Sequence, residues 1–435
     1  MKIASTFNQS DFQIHHVQTA TIQNIVWVDS TANTVKPANL LIRDGKKIEV
    51  VSVETAPLKN FPVIDGKGYI ACPAWWDLAS TLPDPNNPSS GNVEAELKLA
   101  EEGGFAQVTV WPTSSYPLDT PAEVRLLQQT AKNSALMVTP IVALTRGLAG
   151  ERPSDFAALK KEGCFITTQS SVPMTDLRVQ ARCLEYAATH HLKVFFQSIE
   201  SSLAVGGYMH EGEVSDILGI PGIPVMAETI AVMRDLELAK HAEVQPHISQ
   251  ISCERTLNLL HSYGSENISA DVSIFHLCFT EQQLINFDSR FRVTPPLRTE
   301  SDRLALIAAV RDGQLAISSG HQPRATTSKM APFANTASGA ATFDVFLALG
   351  CELIRRGELS WPQWVKATSA LPRKILNNYT KSEETTYLAL DDFCLIDPDA
   401  QWDKLPEFLQ SLGGDSGITG FRGKVKARVR LIPLS

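Results

Sequence analysis

The chain has 435 residues, with 39 Lys and Arg against 47 Asp and Glu for a net charge of −8, a balance that excludes a general nucleic-acid binder with a basic face. Its 43% hydrophobic and 20% charged residues fit a soluble globular protein and exclude fibrous and disordered classes. The length exceeds one ordinary domain and suits an α/β barrel of about 250 residues plus a smaller unit.

Residues 1–13 lack the apolar segment of a signal peptide, and no run approaches the roughly 18 apolar residues of a membrane span, so a cytosolic protein with no membrane partner is expected. Strand patterns at 20–28 and 39–43, with turn signals at Asp44-Gly45 and Asp65-Gly66, predict an antiparallel β unit within residues 1–67. From about Gly68, short apolar strands alternate with longer helical stretches, as in repeated βα units. Strands are predicted at 69–77, 107–113, 136–144, 164–169, 193–199, 246–252, 268–277 and 315–321. Helices are predicted between most of them, at 93–102, 121–132, 177–188, 227–242, 254–263 and 302–312. Eight such units make a (β/α)8 barrel, assigned to residues 68–380. Strand patterns return after about Thr386, at 391–396 and 423–432, and are expected to pair with the N-terminal strands. Residues 1–67 and 381–435 would then form one discontinuous β-sandwich domain. Loops at 83–91 and 322–338 follow the first and eighth strands and are expected at the barrel mouth, where this fold does its chemistry.

Seven cysteines, Cys72, Cys164, Cys183, Cys253, Cys278, Cys351 and Cys394, have no CxxC spacing and read as free, mostly buried thiols. His247 lies on a predicted strand and reads as a core histidine with its hydrogen bonds satisfied. His15, His16, His190, His191, His210, His241, His261 and His276 show no spacing that converges on a metal and read as surface or capping residues. Gly414-Asp415-Ser416-Gly417 is similar to a serine-protease nucleophile segment but lacks plausible His and Asp partners, so it reads as a turn. Trp75, Trp76 and Trp111, near the ends of strands one and two, either plug the mouth or pack strands against helices.

Several segments carry a family resemblance by their order and spacing: Val63-Ile64-Asp65-Gly66-Lys67-Gly68, Gly103-Gly104-Phe105, and Gly206-Gly207-Tyr208-Met209-His210-Glu211-Gly212. Others are Leu218-Gly219-Ile220-Pro221-Gly222-Ile223-Pro224, Ala227-Glu228, Arg234-Asp235, Pro295-Pro296-Leu297-Arg298 and Asp302-Arg303. Over about residues 60–435 the chain resembles the dihydroorotases of the amidohydrolase superfamily. In that family a His-x-His at the end of strand one binds metal; the matching segment is Asp77-Leu78-Ala79-Ser80-Thr81, which puts Ala79 and Thr81 at the ligand positions. The bridging carboxylate of strand four aligns with Thr168, and the histidines of strands five and six align with Gln197 and Gln250. The strand-eight aspartate, metal ligand and general base, aligns with Gly320 in Gly320-His321-Gln322-Pro323-Arg324, where His321 is retained. By the same register Pro83, Thr113, Thr294 and Arg324 replace the family's substrate-contacting Arg, Asn, Asn and His.

Hydrolysis of this kind needs a metal to bring the pKa of water from about 16 toward about 7 and a carboxylate to take the proton. The resemblance therefore implies a lost zinc site, no cofactor and a protein that is not an enzyme. It points to the noncatalytic dihydroorotase-like subunit that accompanies aspartate transcarbamoylase in some bacteria. The expected role is assembly of that enzyme's catalytic chains in de novo pyrimidine biosynthesis, with a homodimer of this chain inside a larger complex. Two further readings stand beside it. One is a cyclic-amide hydrolase with relocated metal ligands drawn from His247, His276, His321, Glu200 and Asp271. The other is a small-molecule sensor that uses the old pocket, in which Arg298 survives.

Overall fold

The computed structural model describes residues 19–43, 47–87, 91–170, 172, 174–264, 268–377, 392–401 and 422–430. The N-terminal β1 (Ala20–Asp29), β2 (Thr34–Arg43) and β3 (Lys47–Val51) pair antiparallel, and β4 (Val63–Asp65) and β5 (Ile70–Pro73) pair with β1 in parallel. The β1–β2 register shifts between Ile22 and Ile25, where Asn24 adopts φ +61°, a left-handed conformation that asparagine tolerates better than most residues. The shift leaves both isoleucines fully buried.

Eight parallel staves follow. β6 (Trp75–Ser80), β7 (Phe105–Val110) and β8 (Met137–Pro140) form one run. β9 (Val142–Ala143), β10 (Ile166–Thr168) and β11 (Lys193–Phe196) open a second run. After a two-stranded ribbon of β12 (Met209–His210) and β13 (Gly222–Ile223), that run continues through β14 (Pro246–Ile248), β15 (Ser269–Ser273) and β16 (Ala316–Ser318). Only Ile141 separates β8 from β9, so the third stave bridges the two runs. The ring closes where Ser80 bridges His321. At that closure buried Asp77 accepts from the Ser319 backbone N–H and hydroxyl, each at 2.7 Å. This is a (β/α)8 barrel with an attached sheet domain. Every residue of β6 and β7 is buried, the polar Asp77, Ser80, Gln107 and Thr109 included, as expected of strands covered on both faces.

From the C-terminal end, β17 (Asp392–Gln401) pairs antiparallel with β5, and β18 (Arg422–Arg430) pairs with β17. The small sheet thus takes strands from both ends of the chain in the order β18-β17-β5-β1-β2-β3, with β4 also on β1. Ile22, Trp27, Leu40, Ile42, Phe393 and Leu395 form its own apolar core.

Two predicted strands differ. The segment 69–77 divides at Ala74 into β5, in the small sheet, and β6, in the barrel, because one unbroken apolar run hides a change of partners. The segment 268–277 stops being a strand at Ser273 and turns into the helix Ile274–Cys278, where Ile274, Phe275 and Leu277 are all buried. Helices at Val93–Glu102 and Glu254–Tyr263 fall where the periodicity placed them. The helix Glu300–Arg311 begins two residues early, at a capping box between Thr299 and Asp302.

Trp75 meets Trp364 edge-on at 5.8 Å, and its Nε1 donates to the Gly103 carbonyl at 3.1 Å. Trp76 is buried against Arg373. Both tryptophans therefore pack the barrel wall rather than plug its mouth. The described cysteines are free thiols, all buried except the half-buried Cys278. Among the described residues no helix is long and apolar enough to cross a membrane. The segment Gly414-Asp415-Ser416-Gly417, the predicted tail start at Thr386, and His15 and His16 lie outside the described residues.

Candidate functional site

Where the strands end, the barrel opens into a cavity of about 370 Å³. Ala79, Thr81, Gln197, Gln250, Gly320 and His321 line it, as do Thr113, Thr294 and Arg324. Thr168 and Pro83 are buried nearby without lining it: the Thr168 Oγ1 accepts from the Ser170 N–H at 2.9 Å, and the Pro83 ring lies against Gly91. Trp111 stands in the wall with its Nε1 bonded to the Leu78 carbonyl at 2.8 Å. The mouth is open and polar, which rules out the plugging idea for all three tryptophans.

Two of the side chains at the family's ligand positions bind each other. Gln197 Nε2 donates to Gln250 Oε1 at 2.7 Å and to the Thr294 carbonyl at 3.3 Å. The Thr81 N–H donates to the His321 carbonyl at 2.8 Å, and Thr294 Oγ1 pairs with Ser338 Oγ at 2.8 Å. Arg324 Nε donates to the Ser338 carbonyl at 2.6 Å, and burial holds its guanidinium below the usual arginine range. Gly320 has φ +62°, and a Cβ built there would lie 2.8 Å from Ser273 Cβ. Gln250 also holds a left-handed backbone, at φ +56°. The mouth is thus a place where strained backbone is tolerated.

Histidine tautomers follow from their partners. His321 Nδ1 accepts the backbone N–H groups of Thr342 at 3.0 Å and Phe343 at 3.3 Å, so its proton sits on Nε2, facing Glu96 Oε2 at 3.1 Å. Its ring stacks on Phe343 at 3.7 Å. His276 Nε2 donates to the Pro295 carbonyl and Nδ1 takes the Ser273 hydroxyl, both at 3.0 Å. Burial pushes its pKa down to about 4. The expectation of a surface or capping role fails for His276, which is buried in the cavity wall, and for His210, which is buried against Arg298. The sequence pattern missed both because an isolated histidine carries no periodic signal.

Below the mouth, β14 and β15 carry a buried network. His247 bonds Asp271 at 2.8 Å and Ser269 at 2.9 Å, and Asp271 also accepts from Ser249, Ser318 and the Gln250 N–H. Glu200 turns to Arg234 at 2.8 Å. Of this set, His247 and Asp271 bond each other below the mouth, His276 and His321 stand in the cavity wall with partners of their own, and Glu200 is held by Arg234, so the five do not gather at one point. Among the described residues no group of three or more His, Cys, Asp or Glu side chains is placed to hold a metal ion. The hydroxyls, amides and missing side chains at the mouth do not fit the family's zinc, which takes imidazole, thiolate and carboxylate donors.

The dihydro-orotase-like family model matches residues 68–256. A dihydroorotase-like protein of Pseudomonas aeruginosa is 36% identical over 82% of this chain and 85% of its own. A dihydroorotase of Staphylococcus epidermidis is 32% identical over 83% of this chain and 86% of its own. In structure, the chain is similar to the L-hydantoinase (dihydropyrimidinase) of Arthrobacter aurescens, with a TM-score of 0.76, 16% identity and 93% of each chain covered, a likeness of fold. These comparisons correct the expectation that the chain is not an enzyme: relatives at this identity and coverage carry the name of an enzyme, and inactivity does not follow from the altered ligand positions.

Proposed function

This chain belongs to the dihydroorotase-like family of the amidohydrolase superfamily, and from that membership we propose that it serves pyrimidine biosynthesis as an assembly partner of the aspartate transcarbamoylase catalytic chain. In this reading, dimers of the barrel join transcarbamoylase trimers into a larger complex in the cytosol. The observation that carries it is the Gln197–Gln250 pair at 2.7 Å: two residues at the family's ligand positions are spent on each other, which favours a rigid mouth. Size-exclusion chromatography of the purified chain with the transcarbamoylase of its own organism tests it. Co-migration is the expected result, and separate elution overturns it.

The second reading is a cyclic-amide hydrolase of the dihydroorotase type, and the names of the relatives support it more directly than they support assembly. Its site would be the mouth cavity, where His276 and His321 are the nearest ionisable groups of the relocated set. Metal content by mass spectrometry, with a dihydroorotate hydrolysis assay in added zinc, decides it. Stoichiometric zinc with turnover supports this reading; neither metal nor turnover removes it.

A further inference from the structure

At the opposite end of the barrel, where the strands begin, a second cavity of about 470 Å³ opens beneath β11, β14, β15 and β16. Lys193, at the start of β11, is 3% exposed and donates to the Ile375 carbonyl at 3.2 Å. Exposed Lys374 lines the same space, and Lys366 Nζ lies against Gly313 at the wall. His261 Nε2 pairs with Gln314 Oε1 at 3.0 Å in that wall. Leu257, Leu260 and Leu371 make its apolar side. Among the described residues no carboxylate lines it.

We propose that this floor cavity is a binding site for a small organic anion, with the anionic group met by Lys193 and Lys374 and an apolar face laid on Leu257 and Leu260. A nucleoside monophosphate has this chemistry. The volume lies within the range of about 300 to 1,000 Å³ usual for small-molecule sites, and the one-signed lining concentrates positive potential in a concave site, where an anion would gain charge-assisted hydrogen bonds. Burial has pushed the Lys193 ammonium down to about 8, and a bound anion would offset that penalty by pairing with its charged form. The site is independent of the mouth, which lies at the other end of the strands.

The test is isothermal titration calorimetry of the full chain at low salt, with uridine monophosphate and with inorganic phosphate as separate probes. The nucleotide is expected to bind at one site and more tightly than phosphate. Lys374→Gln is expected to weaken it about tenfold, equivalent to about 1.4 kcal/mol, while Arg324→Gln in the mouth leaves it unchanged. Lys193→Met, with its fold checked by circular dichroism, is expected to abolish binding. Because Lys374 is exposed, its variant carries the test even if Lys193→Met fails to fold. No nucleotide binding at millimolar concentration, binding lost in Arg324→Gln but kept in Lys374→Gln, or phosphate binding as tightly as the nucleotide would each overturn the assignment.

Discussion

His247 Nε2 lies 2.8 Å from Asp271 Oδ2 inside the barrel, with both side chains fully buried. Asp271 is the shared acceptor for His247, Ser249, Ser318 and the Gln250 N–H. It thereby ties three adjacent staves, β14, β15 and β16, to the loop that carries Gln250 into the mouth. One carboxylate fixes the shape of the cavity above it.

Removing that acceptor strands several buried donors at once. Asp271→Ala is expected to cost about 3–5 kcal/mol, because each buried donor left without an acceptor costs about 1–3 kcal/mol and several lose theirs together. Urea unfolding followed by circular dichroism measures it, and a loss below about 1 kcal/mol would mean that water or a shifted side chain replaces the carboxylate.

The buried histidines set a dependence on pH. His276 and His210 are pushed down to about 4 by burial, with Arg298 adding to the effect at both, and burial also lowers His247 despite Asp271. Each folded pKa is depressed below the unfolded value of about 6.5, so in that window the unfolded chain takes up protons that the native chain refuses. Their contribution is present above about pH 6.5 and is lost as pH falls toward about 4, with a slope up to about 1.4 kcal/mol per pH unit for His276. Urea midpoints at pH 7, 6 and 5 should fall in order, and His276→Gln should flatten the fall. Equal slopes in the wild type and the variant would show that His276 titrates normally.

Restoring an aspartate at position 320 is expected to fail as a simple repair. Gly320 holds φ +62°, and any Cβ there meets Ser273 Cβ at 2.8 Å, so both backbone strain and a clash oppose Gly320→Asp. A loss of about 1–3 kcal/mol is expected, read as a lower melting temperature. A variant as stable as the wild type would show that the loop relaxes freely.

Much of the fold was legible because motif and architecture coincide. The segments that gave the family register converge on Arg298: it donates to the Ile223 carbonyl at 2.7 Å, to His210 Nδ1 at 3.0 Å and to Ser252 Oγ at 3.1 Å, with Glu228 at 3.9 Å. Apart from Ser252, these residues come from four separate motifs, those of His210, Ile223, Glu228 and Arg298, so their order in the chain encodes a buried knot. The mouth was legible as a set of positions, and nine of the eleven residues singled out there line the cavity, all but Pro83 and Thr168. Less visible was anything set by partner choice. The change of sheet at Ala74, the left-handed turns at Gln250 and Gly320 and the burial of His276 depend on contacts distant in sequence, which local periodicity does not record.

That knot makes the last prediction. Arg298 is 3% exposed, and its guanidinium spans acceptors on β13, the ribbon strand β12 and the loop after β14. Arg298→Lys keeps the charge but offers a compact ammonium in place of a planar fork, so it cannot reach all three acceptors together. Both Arg298→Lys and Arg298→Ala are expected to destabilise the chain by about 2–5 kcal/mol, because each loses buried donor contacts to His210 Nδ1, the Ile223 carbonyl and Ser252 Oγ. Denaturant unfolding of the two variants checks this. If lysine restored wild-type stability, the knot would depend on charge alone, and the pairing of Arg298 with His210 and Ile223 would be incidental to the fold.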